Sequence, residues 1–147
     1  MIDWVMVGRA GIFIISSIII CIQDIRTMHV PLVVLWAGFC AVLILTGIFD
    51  FDGLLWGALG AAGTGLLFVL TRFLTWGKLG WGDVQYSVFC GFITGFPACF
   101  SFVICACVLA AAGFIITKKK KKVYEKKMAF TPFMFLGCLP VIILLFF

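Results

Sequence analysis

The chain has 147 residues, of which 65% are hydrophobic and 12% charged, and its formal net charge is +5. Soluble domains are about 45–50% apolar and about 25% charged. The composition therefore excludes a soluble globular domain. It predicts a single membrane-embedded domain over residues 1–147.

Apolar stretches predict an all-α fold with six transmembrane helices. They cover about 4–23, 30–48, 53–74, 84–96, 98–117 and 129–147. Most approach the roughly 20 residues that cross a hydrocarbon core about 30 Å thick. The fourth is short, and Gly95-Phe96-Pro97 separates it from the fifth. The first is expected to persist as a helix, because Asp3 occupies the n-region that a secretory signal makes positive.

Basic residues predict the orientation of these spans, because cytoplasmic loops of membrane proteins are enriched in Lys and Arg. If the N-terminus lies outside, ten of the eleven basic residues fall in cytoplasmic loops: Arg26, Arg72, Lys78, Lys118 to Lys122, Lys126 and Lys127. Both termini are therefore predicted to lie outside. The lysine-rich segment 118–127 is interpreted as a topology anchor near anionic lipid, with no role in binding nucleic acid.

Cysteines and small residues are interpreted as packing residues. None of the seven cysteines forms a C-x-x-C pair, so neither a metal site nor a cofactor is expected. In the third span, Gly53/Gly57 and Ala61/Gly65 have small-x-x-x-small spacing. This spacing predicts a close approach of helix backbones, with a hinge or a ligand groove as the alternative.

Two carboxylates at the ends of spans are candidate catalytic residues. Asp24 ends the first span in CIQDIRTMHVP, and Asp83 begins the fourth after GKLGWG. An ionisable residue at membrane depth is by default a functional-site hypothesis. Counting spans places both on the cytoplasmic side, where one carboxylate could take a proton from water while the other, protonated, polarises a carbonyl. The alternative is a helix N-cap, which suits Asp83 but not Asp24 at a helix C-terminus.

The glycines before Asp83 are predicted to form a substrate-approach loop. The 14 residues from Asp83 to Phe96 cover about 21 Å, so the fourth helix is expected to start below the membrane surface. Non-helical backbone at that depth must be buried in protein or line a wet cavity. Gly80 and Gly82 lack Cβ, so a substrate strand could pass close to the carboxylates.

Three segments resemble motifs of the type IV prepilin peptidases. DIRTMHVP at 24–31 resembles their first-aspartate motif, GWGDV at 80–84 matches their G-x-G-D signature, and FTPFMFLG at 130–137 is similar to their C-terminal segment. The resemblance implies a membrane aspartyl endopeptidase with Asp24 and Asp83 as catalytic residues. Its substrate would be the basic leader of prepilin-like precursors, cleaved at the cytoplasmic face of the inner membrane.

The chain also departs from those motifs. Leu32 replaces the family's Asn, Gln85 its Lys, and Thr131 the Gly of the last motif, which affects substrate contacts more than catalysis. The first loop is too short for the cysteine-bearing zinc domain of the larger, methylating members. A short form is expected, similar to the peptidases of tight-adherence pili or of archaeal preflagellins.

A small transporter or channel subunit is the alternative function, with Asp24 and Asp83 in a proton or cation path. The glycine loop argues against it, because such a path needs no G-x-G before its carboxylate. The expected partners are a prepilin-like precursor and the lipid bilayer. The sequence leaves the oligomeric state and the identity of the precursor open.

Overall fold

A computed structural model describes residues 4–27, 29–77, 79–120 and 130–146. These residues form six α-helices and contain no β-strand. The helices are α1 (Trp4–Thr27), α2 (Leu32–Phe49), α3 (Phe51–Leu74), α4 (Trp81–Thr94), α5 (Ala98–Lys120) and α6 (Thr131–Phe146). Lys78 and residues 121–129, which include most of the predicted lysine anchor, lie outside the described residues.

The helices match the predicted apolar stretches to within a few residues. α1, α2 and α3 are long and apolar enough to cross a membrane. The apolar parts of α5 and α6 are shorter, Ala98–Gly113 and Thr131–Leu145. The predicted break is confirmed, because Gly95 ends α4 with a φ of 66° and α5 begins three residues later.

α4 is the central helix of the bundle. It contacts each of the other five helices, and from Tyr86 to Thr94 only Val88 is not buried. Its 14 residues extend about 21 Å, less than the thickness of a hydrocarbon core. A helix surrounded by protein does not need to match the bilayer with its own length, which accounts for the short fourth stretch.

α3 and α4 meet through glycines. A Cβ on Gly60 would overlap the carbonyl oxygen of Gly91, and a Cβ on Gly91 would lie 2.6 Å from the carbonyl oxygen of Gly60. At this contact the hydroxyl of Thr64 donates a hydrogen bond to the carbonyl oxygen of Ser87 at 3.0 Å. The two backbones are therefore in direct contact, as the small residues of this span predict.

Of the three α3 glycines with small-x-x-x-small spacing, two contact α4 and one does not. A Cβ on Gly57 would lie 2.9 Å from the carbonyl oxygen of Phe92, and one on Gly65 would lie 2.9 Å from Val88. These two confirm the packing interpretation. Gly53 instead lies beside the N-cap of its own helix.

The end of the bundle opposite Asp24 contains a partly buried ion pair. Nη1 of Arg9 lies 3.2 Å from Oδ2 of Asp50, and the exposed fractions of the two side chains are 7% and 31%. Asp50 is also the N-cap of α3, and its Oδ1 accepts a hydrogen bond from the backbone N–H of Gly53 at 2.8 Å. One carboxylate therefore caps α3 and joins it to α1.

Candidate active site

Asp24 lies on the buried face of α1, with 5% of its surface exposed. The prediction that it ends the helix is wrong, because α1 continues for three more residues to Thr27. Asp24 therefore follows the buried Ile20 and Cys21 by one helical turn and shares their face. Its Oδ2 is buried and has no hydrogen-bond partner among the described residues.

Asp83 is the third residue of α4, and Gly80 is the N-cap. The alternative that Asp83 itself is the N-cap is therefore wrong. Its carboxylate lies beside the backbone of Gly80, since a Cβ there would lie 3.2 Å from Oδ2. The free backbone N–H groups at a helix start favour an acidic side chain in this first turn. The start of α4 is therefore a suitable position for this carboxylate.

Thr131 donates a hydrogen bond to the same carboxylate. It is the first residue of α6, it is fully buried, and its hydroxyl donates a hydrogen bond to Oδ1 of Asp83 at 3.2 Å. Sequence reasoning treated Thr131 only as a departure from a family motif and missed this role. The available signal was a hydroxyl residue in an apolar segment on the side of the membrane predicted for Asp83.

Asp24 and Asp83 come together although 58 residues separate them in the sequence. α1 and α4 are in contact, and the carboxyl groups lie close enough for the charge of one to act on the other. This arrangement is suited to general acid–base chemistry on a bound water.

The two glycines before Asp83 have different surroundings. A Cβ on Gly82 would lie 2.7 Å from Cβ of Val30, so the space it leaves is used by the connection between α1 and α2. Gly80 is exposed, and a Cβ there would lie 3.2 Å from Oδ2 of Asp83. Substrate approach stays a prediction for both positions, and at Gly82 it would require Val30 to move.

Arg72 holds the segment between α3 and α4 in place. Its guanidinium donates a hydrogen bond to the carbonyl oxygen of Leu79 and lies 4.6 Å from the centre of the Trp81 ring. Within the segment, Trp76 and Gly77 have left-handed backbone conformations, with φ angles of 55° and 76°. The loop before Asp83 is thereby attached to α3 as well as to α4.

The described residues contain no group of three or more His, Cys, Asp or Glu side chains that could hold a metal ion. Gln85, which replaces the family's Lys, lines a small cavity with Leu35, Trp36, Phe39 and Val88. Its Oε1 is buried and has no hydrogen-bond partner among the described residues.

A family model described as the type IV leader peptidase family matches residues 11–115. The matched region includes Asp24, Asp83 and the glycine loop, and it ends before Thr131. The chain belongs to the type IV leader peptidase family. Together with the apolar helices, this membership makes it an integral membrane peptidase rather than a transporter. No curated protein and no solved structure gives a significant match.

Proposed function

We propose that the protein is an intramembrane aspartyl endopeptidase that removes the leader of prepilin-like precursors, with Asp24 and Asp83 as its catalytic pair. The observation that carries this proposal is the placement of two carboxylates on contacting helices, at one end of the bundle and inside the region matched by the leader peptidase family. The substrate strand approaches along the exposed Gly80 at the N-cap of α4, and it reaches Gly82, the second residue of the helix, when Val30 moves aside.

The reaction is a hydrolysis driven by one shared proton. The ionised carboxylate takes a proton from a water, and the oxygen of that water adds to the carbonyl carbon of the scissile bond. The protonated carboxyl gives its proton to the carbonyl oxygen. When the intermediate breaks down, the carboxyl group that took the proton from water gives it to the departing amine, a hydroxyl of the intermediate returns its proton to the other carboxylate, and the leader leaves with a new carboxyl end.

A hydrogen bond to Asp83 orients its carboxylate for this reaction. The hydroxyl of Thr131 orients one carboxylate before substrate binds. Such preorganisation lowers the reorganisation needed in the transition state. Asp24 keeps its Oδ2 free of protein donors among the described residues, so this oxygen is available to water or substrate.

The proposed topology has six membrane spans, with both termini outside and the catalytic pair on the cytoplasmic side of the inner membrane. Arg26 and Arg72 lie in the last turns of α1 and α3, at the end of the bundle that holds Asp24 and Asp83. Asp50 and Asp52 lie at the start of α3, at the other end. This distribution supports the orientation, because positive charge is retained on the cytoplasmic side.

Co-expression with a candidate prepilin tests the proposal, with the loss of the leader read as a size shift. Asp24→Asn and Asp83→Asn should each abolish cleavage while the protein still inserts, because the two carboxylates act as a unit. Asp52→Asn is the matched control, since Asp52 is an exposed acid at the other end of the bundle. Clear processing by either dyad variant at wild-type expression would overturn the catalytic assignment.

A further inference from the structure

A column of buried polar side chains continues from the catalytic pair into the bundle. Ser17 and Cys21 lie on the same face of α1 as Asp24, at helical spacings of seven and three residues. Tyr86 lies one turn after Asp83 on α4. Ser17 and Tyr86 are both 0% exposed, so they lie as deep in the protein as its apolar core.

These groups are connected to one another and to Asp24. The Cys21 thiol lies close enough to both Asp24 and Tyr86 for electrostatic interaction. The hydroxyls of Ser17 and Tyr86 lie next to each other. The column therefore extends from the carboxylate through a thiol to two hydroxyls, about 10 Å deeper along α1 at about 1.5 Å per residue.

Neither hydroxyl has a well-formed hydrogen bond to protein among the described residues. Oδ2 of Asp24, at the end of the column nearest Asp83, is also buried without a hydrogen-bond partner among these residues. Buried polar groups are stabilised by hydrogen bonds, and within a membrane neither lipid nor bulk water can supply them. A buried water that makes two to four hydrogen bonds to such groups is the usual solution in proteins.

Three other buried hydroxyls in the bundle do have hydrogen-bond partners, so the lack of partners is particular to the column. The hydroxyl of Ser87, also 0% exposed, donates to the carbonyl oxygen of Val84 at 2.6 Å. Thr64 and Thr94 bond to carbonyl oxygens in the same manner. The hydroxyls of Ser87, Thr64 and Thr94 are thus satisfied by backbone, whereas those of Ser17 and Tyr86 have no such partner among the described residues.

We propose that Ser17, Cys21 and Tyr86 form an internal hydration site that holds water next to Asp24 for hydrolysis. Its link to catalysis rests on the proposed function, whereas water binding does not. Each cleaved peptide bond consumes one water, and an apolar substrate segment lying over the catalytic pair shields it from bulk solvent. A site on the interior side of Asp24 keeps water available during that time. Ser17 and Tyr86 are positioning residues in this scheme.

Radiolytic hydroxyl footprinting of the purified full-length protein in detergent tests water binding without reference to activity. Radicals formed from bound water should label Tyr86 despite its burial, well above the equally buried rings of Phe13 and Phe89. Trp76, 93% exposed, is the positive reference. Ser17→Ala should reduce labelling of Tyr86 and leave Trp76 unchanged, whereas Ser87→Ala should alter neither. Labelling of Tyr86 no higher than that of Phe13 would overturn the hydration site.

Peptidase kinetics test the supply of water to the catalytic pair. Ser17→Ala and Tyr86→Phe should each lower kcat about fivefold with little change in KM, the size expected for one ordering hydrogen bond. Ser17→Thr, which restores a hydroxyl, should recover most of the loss, and Ser87→Ala should remain near wild type. Unchanged kcat in Ser17→Ala would refute the supply role even if Tyr86 is labelled. If the wild-type enzyme cleaves no prepilin, the proposed function fails while the labelling result stands.

Discussion

The hydroxyl of Thr131 donates a hydrogen bond to Oδ1 of Asp83 across 3.2 Å, although the two residues are 48 positions apart. This bond connects the start of α6 to the start of α4. It means that the orientation of one carboxylate of the proposed catalytic pair depends on a helix that contributes no carboxylate itself. α6 also contacts α1, so the same helix touches both elements that carry the pair.

Replacing Thr131 separates the contribution of its hydroxyl from that of its shape. Thr131→Val keeps the volume and removes the donor to Asp83, so kcat should fall by roughly ten- to a hundredfold, in line with about 1.5–3 kcal/mol for a hydrogen bond to a charged group. Thr131→Ser keeps the donor and should retain most activity. The measurement is steady-state cleavage of a purified prepilin, with thermal unfolding as the check on folding. Equal rates for the Val and Ser variants would contradict a role for the hydroxyl.

Gly82 and Val30 provide a test of the contact between the α1–α2 connection and α4. In Gly82→Ala the new Cβ would lie 2.7 Å from Cβ of Val30, and no side-chain rotation relieves this contact because the backbone fixes both Cβ atoms. The connection should shift together with the end of α1, and activity should fall by an order of magnitude or more. Val30→Gly in the same chain removes the opposing Cβ and should restore much of the activity. Activity lost in Gly82→Ala and not recovered by Val30→Gly would instead favour a direct contact of substrate with Gly82.

The contact between α3 and α4 should be sensitive to a single methyl group. Gly60→Ala would place Cβ against the carbonyl oxygen of Gly91, and backbone cannot move aside as a side chain can. We expect the free energy of unfolding to fall by about 1–3 kcal/mol, as for other overpacked interiors. Gly63→Ala is the matched control on the same helix, because nothing lies within 4 Å of its added Cβ. Thermal unfolding in detergent compares the two, and equal midpoints would refute direct backbone contact.

Asp50 caps α3 and pairs with Arg9, and one substitution can separate these two roles. Asp50→Asn keeps an oxygen that can cap α3 at Gly53 and removes the charge that pairs with Arg9. Because Arg9 is then left buried without its partner, we expect a loss of about 2 kcal/mol in unfolding free energy. Asp52→Asn, an exposed change two residues away, should have little effect. If Asp50→Asn unfolds like wild type and only Asp50→Ala is destabilised, capping rather than the ion pair is what matters.

The sequence predicts the helices well because the length of an apolar stretch and the position of a proline decide them. Pro97 separates α4 from α5 as expected, and the glycines of α3 mark a close helix contact. Counting helices also predicts that Asp24 and Asp83 lie at the same end of the bundle, which is where the structure has them. These properties are local, or they follow from the direction in which each helix runs.

Other features depend on how each helix is rotated about its axis, which no local pattern specifies here. One such feature is the hydrogen bond from Thr131 to Asp83. Another is the contact of Val30 with Gly82. Asp24 illustrates a different difficulty. Its charge suggests the end of a helix, but burial on the inner face and a further turn of helix to Thr27 are set by tertiary packing.

The central position of α4 has a consequence for biogenesis. α4 has 14 residues, and Asp83 is the third of them. Such a segment is by itself a weak signal for insertion into a bilayer. α4 is buried by the other helices. It shares direct backbone contact with α3, which leaves the ribosome immediately before it. Integration of α4 into the membrane should therefore be coupled to α3 as a helical hairpin. A substitution that loosens the glycine contact would then reduce the amount of inserted protein before it affects the finished enzyme.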